Sequence, residues 1–312
     1  MRSRFIHKLL LIIRSLQHLK VEVLLSQLFS MCQLQMKVAV LIPSHIYYPD
    51  QITRLDACLE SLCSQTIVPD IFASISFADY TYKLAFAPIL RKFATVKFKF
   101  SPGQTFQMEH LLALSALISD YDMVMFCDDD DKYLPIRVEA FVNAFKGTKE
   151  HCDKTGKRFG GVREVLDARD ENEIPEYWAY GIQPVLFTEF FNRIKGYEDL
   201  MRHKFADIYL CNFLKRTGGS STIFGSLQPN MSGVTLYQYT TDNPNSICSR
   251  LQRGASKRTS IDVQNNLTLC LIYNWEDELR EQMRAIHMPL SKLCDIVPDT
   301  VKIKTFTKHL YK

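Results

Sequence analysis

The stretch Met123-Val-Met-Phe-Cys-Asp-Asp-Asp-Asp131 joins a wholly apolar run to four consecutive carboxylates. A short apolar run that ends in polar residues is typical of a strand buried on both faces of a parallel sheet. In open α/β sheets, ligands bind beyond the carboxyl ends of the strands, which is where the four acids fall. The stretch therefore predicts an α/β fold and, at the end of this strand, the site that carries its chemistry.

Four adjacent carboxylates repel one another and need a counter-charge. A divalent cation supplies one, because Mg²⁺ and Mn²⁺ prefer the oxygen ligands that carboxylates offer. Alternate residues of an extended turn can face one ion, so we expect a divalent cation, Mn²⁺ or Mg²⁺, as the cofactor bound by this run of acids. The alternative for such a run is a solvated acidic loop.

Short β-rich runs and helical patterns alternate on both sides of this strand, as in βαβ units around a parallel sheet. The prediction is an α/β fold with a mostly parallel central sheet flanked by helices and a helical C-terminal extension. The predicted strands are 37–43, 71–77, 95–100 and 123–127, and the predicted helices are 51–64, 81–92, 106–118 and 135–145.

The 312-residue chain has the composition of an ordinary globular protein, with 46% hydrophobic and 23% charged residues. Its 38 Lys and Arg residues nearly balance 34 Asp and Glu, which leaves a formal net charge of +4. A nucleic-acid binder held by phosphate contacts normally has a larger basic excess, so we expect no nucleic-acid partner. Nine cysteines form no Cys-x-x-Cys pair, and we interpret them as reduced, mostly buried thiols.

Residues 1–36 differ from the rest because five Lys and Arg face a single acid, Glu22, among many Leu and Ile. Their longest apolar run, Leu9 to Ile13, is far shorter than the ~20 residues of a bilayer span. Apolar positions recur at helical spacing, which predicts a basic amphipathic helix. Such a helix serves as an interfacial membrane anchor or a targeting peptide, or it packs on the domain. Translation that starts at Met36 is a further alternative.

Five segments match, in order and spacing, the motifs of one known family. The run Phe126-Cys-Asp-Asp-Asp-Asp-Lys-Tyr-Leu-Pro135 combines a hydrophobic pair, Asp-x-Asp-Asp, three residues and Pro. Four further segments are similar to a first strand, a first helix end, an acceptor-side segment and a catalytic segment: Val38–His45, Leu59–Asp70, Pro184–Tyr197 and His203–Asp207. Together they resemble family 2 glycosyltransferases with the GT-A fold, over residues 37–239.

The resemblance implies a metal-dependent glycosyltransferase that moves a sugar from a nucleoside-diphosphate sugar to a hydroxyl of a glycan, protein or lipid acceptor. Asp128 and Asp130 would then bind the metal and, around it, the donor diphosphate. Asp207 matches the general base of an inverting reaction, with capping of a helix at Ile208–Lys215 as its alternative role. The implied ranges are an N-terminal extension (1–36), a donor-binding half (37–146), an acceptor-binding half (147–245) and a helical C-terminal extension (246–312).

The resemblance also implies which side chains bind the donor and the acceptor. The donor-binding set is Pro43, His45, Ser76, Asp79, Gln104, His110, Asp129 and Asp131. In the family an acid after the second strand contacts the nucleobase; Ser76 occupies that place here, so Asp79 is the first candidate and Ser76 the second. His45 replaces a base-stacking aromatic residue. Trp178 and Tyr180 are predicted to form an acceptor platform, with core packing as the alternative.

Alternatives stay open for single residues and for the whole protein. A lone histidine on an apolar helix, such as His110, is more often a structural residue, and Asp129 and Asp131 either touch the ligands or cap the next helix. The protein could instead be a non-catalytic GT-A-like sugar-binding module or another metal-dependent phosphoryl-transfer enzyme that uses the acids. We expect a cytoplasmic location, or a peripheral one on a membrane surface through residues 1–36.

Overall fold

A computed structural model describes residues 36–103, 106–165, 177–202, 207–220, 222–227, 236–238 and 240, together with Cys270, Met283, Arg284 and His287. The chain divides into two units, Met1–Lys37 and Val38–Lys312. Several predictions fall outside the described residues: the amphipathic helix within 1–36, Gln104, His203–Ala206 and nearly all of the C-terminal extension.

The described residues form strands and helices that alternate along the chain. The strands are β1 (Val38–Ile46), β2 (Asp70–Phe77), β3 (Lys97–Phe100), β4 (Met123–Phe126), β5 (Lys132–Tyr133), β6 (Arg158–Glu164), β7 (Tyr180–Ile182), β8 (Thr222–Leu227) and β9 (Tyr237–Gln238). The helices are α1 (Pro49–Cys63), α2 (Tyr80–Ala85), α3 (Ala87–Lys92), α4 (Gln107–Ser115), α5 (Arg137–Thr155), α6 (Pro184–Ile194), α7 (Glu198–Met201) and α8 (Asp207–Ser220), with a 3-10 helix at Tyr177–Ala179.

Seven strands form a central sheet in the order β3-β2-β1-β4-β7-β6-β8, and β5 pairs with β9 in a separate two-stranded sheet. Within the central sheet β7 runs antiparallel to its neighbours β4 and β6, whereas the other pairings are parallel. Helices α4, α5 and α8 pack against strands of this sheet. The predicted α/β fold with a mostly parallel central sheet flanked by helices is therefore confirmed.

The carboxyl end of β1 extends beyond the strand that the acids follow. All four residues of β4 are buried, and β1 pairs with it only from Val38 to Leu41. Beyond Leu41, β1 continues to pair with β2 alone. Pro43 has no N–H to donate, and it lies in this part of β1, where no hydrogen bond to β4 is needed. The chain that leaves β4 can therefore turn toward the end of β1.

Two predicted helices differ from the observed ones. The helix predicted at 135–145 runs on to Thr155 and ends at Gly156, whose φ of 66° is the left-handed conformation that glycine favours at a helix end. The predicted division at residue 146 therefore falls inside α5. The helix predicted at 81–92 is broken at Phe86, because Pro88 has no N–H to continue the helical hydrogen bonds and instead occupies the first turn of α3. The Phe86 ring at the junction is buried against Phe77, Phe98 and Phe100.

Strands β6 and β7 approach each other unusually closely at two glycines. Gly161 has a φ of +148°, and a Cβ at this position would lie 2.2 Å from the carbonyl oxygen of Gly181. The register between β6 and β8 shifts at the same place, between Phe159 and Gly161. This contact fixes the short strand β7 and the 3-10 helix before it, which lies beside the carboxyl end of β4.

Cysteines in the described part of the chain are all free thiols, as predicted. Five of them are buried and Cys63 is half-buried. The thiols of Cys58 and Cys127 lie 3.7 Å apart, and the Cys58 thiol also donates to the carbonyl of Asp128 at 3.5 Å. Burial raises the pKa of the Cys127 thiol, which keeps it protonated and unreactive.

Candidate functional site

The four acids Asp128–Asp131, here called the acidic turn, lie at the carboxyl end of β4. The Cys127 N–H donates to the Leu41 carbonyl at 3.1 Å, which is the last backbone bond that ties this segment to β1. The Asp131 N–H then donates to the Asp128 carbonyl at 3.3 Å and closes the turn. Asp131 is buried and the other three acids are half-buried. Their side chains bond to different partners.

Asp128 is held by two side chains from distant elements. The Tyr177 hydroxyl, at the start of the 3-10 helix, donates to Oδ1 of Asp128. The Gln107 amide, in the first turn of α4, donates to the same oxygen at 3.1 Å and to the Tyr177 oxygen at 2.9 Å. The second oxygen of Asp128 receives no hydrogen bond from the described residues, so it is available for a ligand.

The other acids contact the end of β1 and the segment around β9. The Ser44 hydroxyl donates to Asp129 at 2.5 Å. Both oxygens of Asp131 are bonded, Oδ2 to the Tyr237 hydroxyl and Oδ1 to the Thr240 N–H, each at 2.7 Å. The Thr240 hydroxyl also donates to the backbone carbonyl of Asp130 at 2.5 Å. The turn is thus attached at both ends.

Three acids of the turn, Asp128, Asp129 and Asp131, have unusually high pKa values. Burial raises the pKa of Asp128 well above its usual range; the Asp131 carboxylate adds to this shift and the Tyr177 hydroxyl opposes it. Burial also raises the pKa of Asp129 to about 7 and that of Asp131 to about 6, and repulsion from Asp130 contributes to both. The turn therefore resists full ionisation at neutral pH unless a positive charge faces it.

A divalent cation would offset the negative charge of the acidic turn. Every hydrogen bond that the described residues give to the side chains of Asp128, Asp129 and Asp131 comes from a neutral group. Within the same part of the chain, no three His, Cys, Asp or Glu side chains are arranged to hold a metal ion. Mg²⁺ commonly uses only one or two carboxylates and completes its shell with substrate phosphates. The turn therefore suits a cation that binds together with a diphosphate.

Asp207 lies near the acidic turn. It is the first residue of α8 and is half-buried. Burial is the main cause of the raised pKa values of Asp128 and Tyr177, and the charge of Asp207 adds to both, so its carboxylate is within electrostatic range of the pair. The predicted helix at Ile208–Lys215 is present and continues to Ser220. An acid in the first helical turn is stabilised in its ionised form.

The predicted nucleobase residues lie at the carboxyl ends of β1 and β2. Ser76 is buried, and its hydroxyl contacts Nδ1 of His45 at 2.5 Å and Nε2 of His110 at 3.0 Å. His45 is half-buried, with its ring edge against Tyr47 at 4.1 Å. Asp79 is exposed and caps α2. Its carboxylate accepts from the Thr81 hydroxyl at 2.5 Å and from the Thr81 N–H at 2.7 Å, and these two bonds lower its pKa. The acid that the sequence favoured for the base is therefore engaged as a helix cap.

The two aromatic residues predicted as an acceptor platform are both buried. Trp178 stacks on Tyr237 with ring centroids 4.0 Å apart and an interplanar angle of 8°. Tyr180 packs against the edge of Phe224 at 5.6 Å. Their placement is that of core residues, the alternative considered for them. Trp178 nevertheless lies close to the acidic turn, because its stacking partner Tyr237 bonds to Asp131.

Several residues that hold the acids were not predicted from the sequence. The sequence contains only weak indications for two of them: Gln107 is a polar residue at the start of a predicted helix, and Tyr177 precedes Trp178, which was predicted to bind the acceptor. Tyr237 and Thr240 had none, because they lie 106 and 109 residues beyond Asp131.

Comparison with known proteins identifies similar folds at low identity. No protein-family model matches the chain, and no curated protein sequence does. TarS of S. aureus has 13% sequence identity to this chain and a TM-score of 0.42. The match covers 88% of this chain and 53% of TarS, so this chain spans about half the length of TarS. The mannosyltransferase PcManGT of Pyrobaculum calidifontis, solved with GDP-Man and Mn²⁺, has 13% identity and a TM-score of 0.47, with coverage of 80% and 68%. A 4-diphosphocytidyl-2C-methyl-D-erythritol synthase has 14% identity and a TM-score of 0.38, with coverage of 70% and 99%. These similarities assign no family, and the function proposed below rests on the site itself.

Proposed function

We propose that this protein is a metal-dependent glycosyltransferase that moves a sugar from a nucleoside-diphosphate sugar to an acceptor hydroxyl. The observation that carries the proposal is the acidic turn: four acids at the carboxyl end of a buried strand, three of which, Asp128, Asp129 and Asp131, accept hydrogen bonds from neutral groups and have pKa values raised by burial. A bound Mn²⁺ or Mg²⁺ would supply a counter-charge and neutralise the diphosphate that leaves the sugar. Asp128 and Asp130 would hold it.

The remaining residues have roles that follow from where they lie. Asp207, within electrostatic range of Asp128, would accept the proton of the acceptor hydroxyl and so favour an inverting reaction. Because Asp79 is engaged as a helix cap and the buried Ser76 hydroxyl is held between two histidines, His45 is the better candidate for contact with the nucleobase, and Ser76 would position its ring. Ser44 would orient Asp129 beside the donor.

The test is to incubate the protein with Mn²⁺ and a panel of UDP-, GDP-, ADP- and dTDP-sugars, and to measure the release of nucleoside diphosphate and the melting temperature. We expect one donor to be hydrolysed slowly and to raise the melting temperature. Asp130→Ala should abolish both effects. Asp153→Ala is the control, because Asp153 is an exposed acid on α5 that pairs with Lys149 on the same helix.

Two other outcomes would identify the rival functions. A donor that raises the melting temperature of the wild-type protein but is never cleaved, with or without acceptors, would indicate a non-catalytic sugar-binding module. Phosphate release from a phosphate ester, with no response to any nucleotide sugar, would indicate a different phosphoryl-transfer enzyme. Activity retained in Asp130→Ala would contradict the metal assignment. Asp207→Asn should reduce transfer by about 100-fold or more while donor binding persists.

A further inference from the structure

The hydroxyl of Tyr237 lies between the two ends of the acidic turn. It accepts a hydrogen bond from the Asp128 N–H at 3.1 Å and donates one to Oδ2 of Asp131 at 2.7 Å. One oxygen atom therefore contacts the first and the last residue of the turn. The other outside groups each bond near one end of the turn or in its middle, whereas this single oxygen links the two ends to each other.

The phenol ring is itself held rigidly. Trp178 stacks on one face, and the buried Arg137 guanidinium lies 5.1 Å from the ring centroid. Arg137 also donates to the Trp178 carbonyl at 2.8 Å and pairs with the buried Glu164. Glu164 in turn accepts the N–H of Leu236, the residue before Tyr237, at 2.5 Å. The same buried ion pair thus holds the backbone next to Tyr237 and the backbone of Trp178, whose ring stacks on Tyr237.

We infer that Tyr237 is a positioning residue: its hydroxyl sets the geometry of the acidic turn and so the direction of the carboxylates that bind the cation. The link to the cation rests on the function proposed above. The competing role is that of an ordinary core tyrosine, whose hydroxyl is merely satisfied by whichever polar groups lie near it. That role predicts a general loss of stability on removal of the hydroxyl, without a specific effect on the turn.

Tyr133 provides a matched control for this inference. Its hydroxyl is also buried and donates to the carbonyl of Phe126 at 2.6 Å, so it bonds to the end of the same strand but to none of the acids. Its ring packs against Tyr237 at 5.8 Å and lies 4.8 Å from the Arg137 guanidinium. Tyr133→Phe therefore removes an equivalent oxygen from the same environment and leaves the turn bonded.

The experiment compares Tyr237→Phe, Tyr133→Phe and the wild type by hydrogen–deuterium exchange of peptides covering residues 127–134, in EDTA. Titration with Mn²⁺ alone then gives the dissociation constant by electron paramagnetic resonance. For Tyr237→Phe we expect exchange in this segment and the Mn²⁺ dissociation constant each to rise by about 10-fold, as for the loss of a hydrogen bond to a charged group. For Tyr133→Phe, both should stay within about 2-fold of the wild type. Protection of α5 in the same experiment reports whether each variant is folded.

The outcomes separate the inference from the proposed function. Equal acceleration in both variants, or none in Tyr237→Phe, would overturn the positioning role, because the turn would then respond to stability in general or to neither hydroxyl. Acceleration confined to Tyr237→Phe supports that role. If exchange is accelerated only in Tyr237→Phe but the wild type binds no Mn²⁺, the positioning role stands and the proposed cation is wrong.

Discussion

His110 lies within a chain of buried polar side chains that runs beneath the candidate site. Its ring contacts the hydroxyls of Ser74 at 2.8 Å and Ser76 at 3.0 Å; Ser74 reaches Ser101 at 3.1 Å, and Ser76 reaches His45. Burial lowers the pKa of His110 to about 4. The ring is therefore neutral at physiological pH, with one donor and one acceptor nitrogen for its two serine partners.

This histidine should make the fold sensitive to acid. Because its folded-state pKa of about 4 lies below the ordinary 6.5, the unfolded chain takes up this proton first as the pH falls. The contribution of His110 to the free energy of unfolding should be fully retained above pH 6.5 and should decrease by about 3 kcal/mol between pH 6.5 and 4. The raised pKa values of Asp129 and Asp131 act in the opposite direction, so the contribution is read from the difference between the wild type and a variant without this histidine. His110→Gln should lack this component, as measured by denaturant unfolding across that range. Equal losses in both proteins would contradict the assignment.

The acids of the site could be predicted from the sequence, whereas their partners could not. Asp128–Asp131 follow an apolar strand directly, so position in the sequence and position in the sheet coincide. The groups that orient them come from a helix start, a 3-10 helix and a strand far along the chain, and only the folded topology brings these together. His110 shows the same limit: its helix could be predicted, but its serine partners on neighbouring strands could not.

At the contact between β6 and β7, the backbones lie too close together for a side chain to fit between them. Gly161→Ala would place a methyl group 2.2 Å from the Gly181 carbonyl in a backbone conformation that side chains disfavour. We expect it to lower the free energy of unfolding by about 1–3 kcal/mol. Gly147→Ala is a control of opposite sign: its Cβ would meet nothing within 4 Å in the exposed middle of α5, so it should stabilise by about 0.5–1 kcal/mol. Equilibrium denaturation measures both, and a neutral Gly161→Ala would contradict the close approach.

Element types were easier to predict than their ends. The strands β1, β2 and β4 begin and end near the predicted residues, because each is a short apolar run bounded by polar or turn-forming residues. Helix α5 extends through Gly147 because buried residues such as Phe145 and Cys152 continue along one face and outweigh the local propensity of glycine. Tertiary packing determines where such a helix ends, and the local sequence does not reveal that packing.

On the scale of the whole molecule, positive charge is concentrated at one end of the sequence. Residues 1–36 contain five basic residues and one acid, a net +4, which equals the formal charge of the full chain. The remaining 276 residues are therefore balanced, with 33 basic and 33 acidic groups. Among the described residues, no helix is both long and apolar enough to cross a membrane. The net positive charge that would attract the chain to an anionic surface therefore lies in the first 36 residues.

We expect the full chain to bind vesicles that contain phosphatidylserine, and to release them at high salt. Replacing the five basic residues with glutamine should weaken binding by about 100-fold or more, since each contributes roughly 1 kcal/mol near an anionic surface. The residues are Arg2, Arg4, Lys8, Arg14 and Lys20. Co-sedimentation measures the effect, with neutral phosphatidylcholine vesicles as the control. If the affinity for vesicles changes neither with lipid charge nor with the substitutions, residues 1–36 are not an electrostatic anchor.

During synthesis, the acidic turn leaves the ribosome well before two of the residues that hold it. Tyr237 and Thr240 follow Asp131 by 106 and 109 residues. At roughly 5–20 residues per second, translation needs about 5 to 20 seconds to deliver them. A nascent chain that has not reached Tyr237 therefore carries Asp131 without either of its two side-chain hydrogen bonds. The full set of bonds to the acidic turn forms only in a chain that has been translated past Thr240.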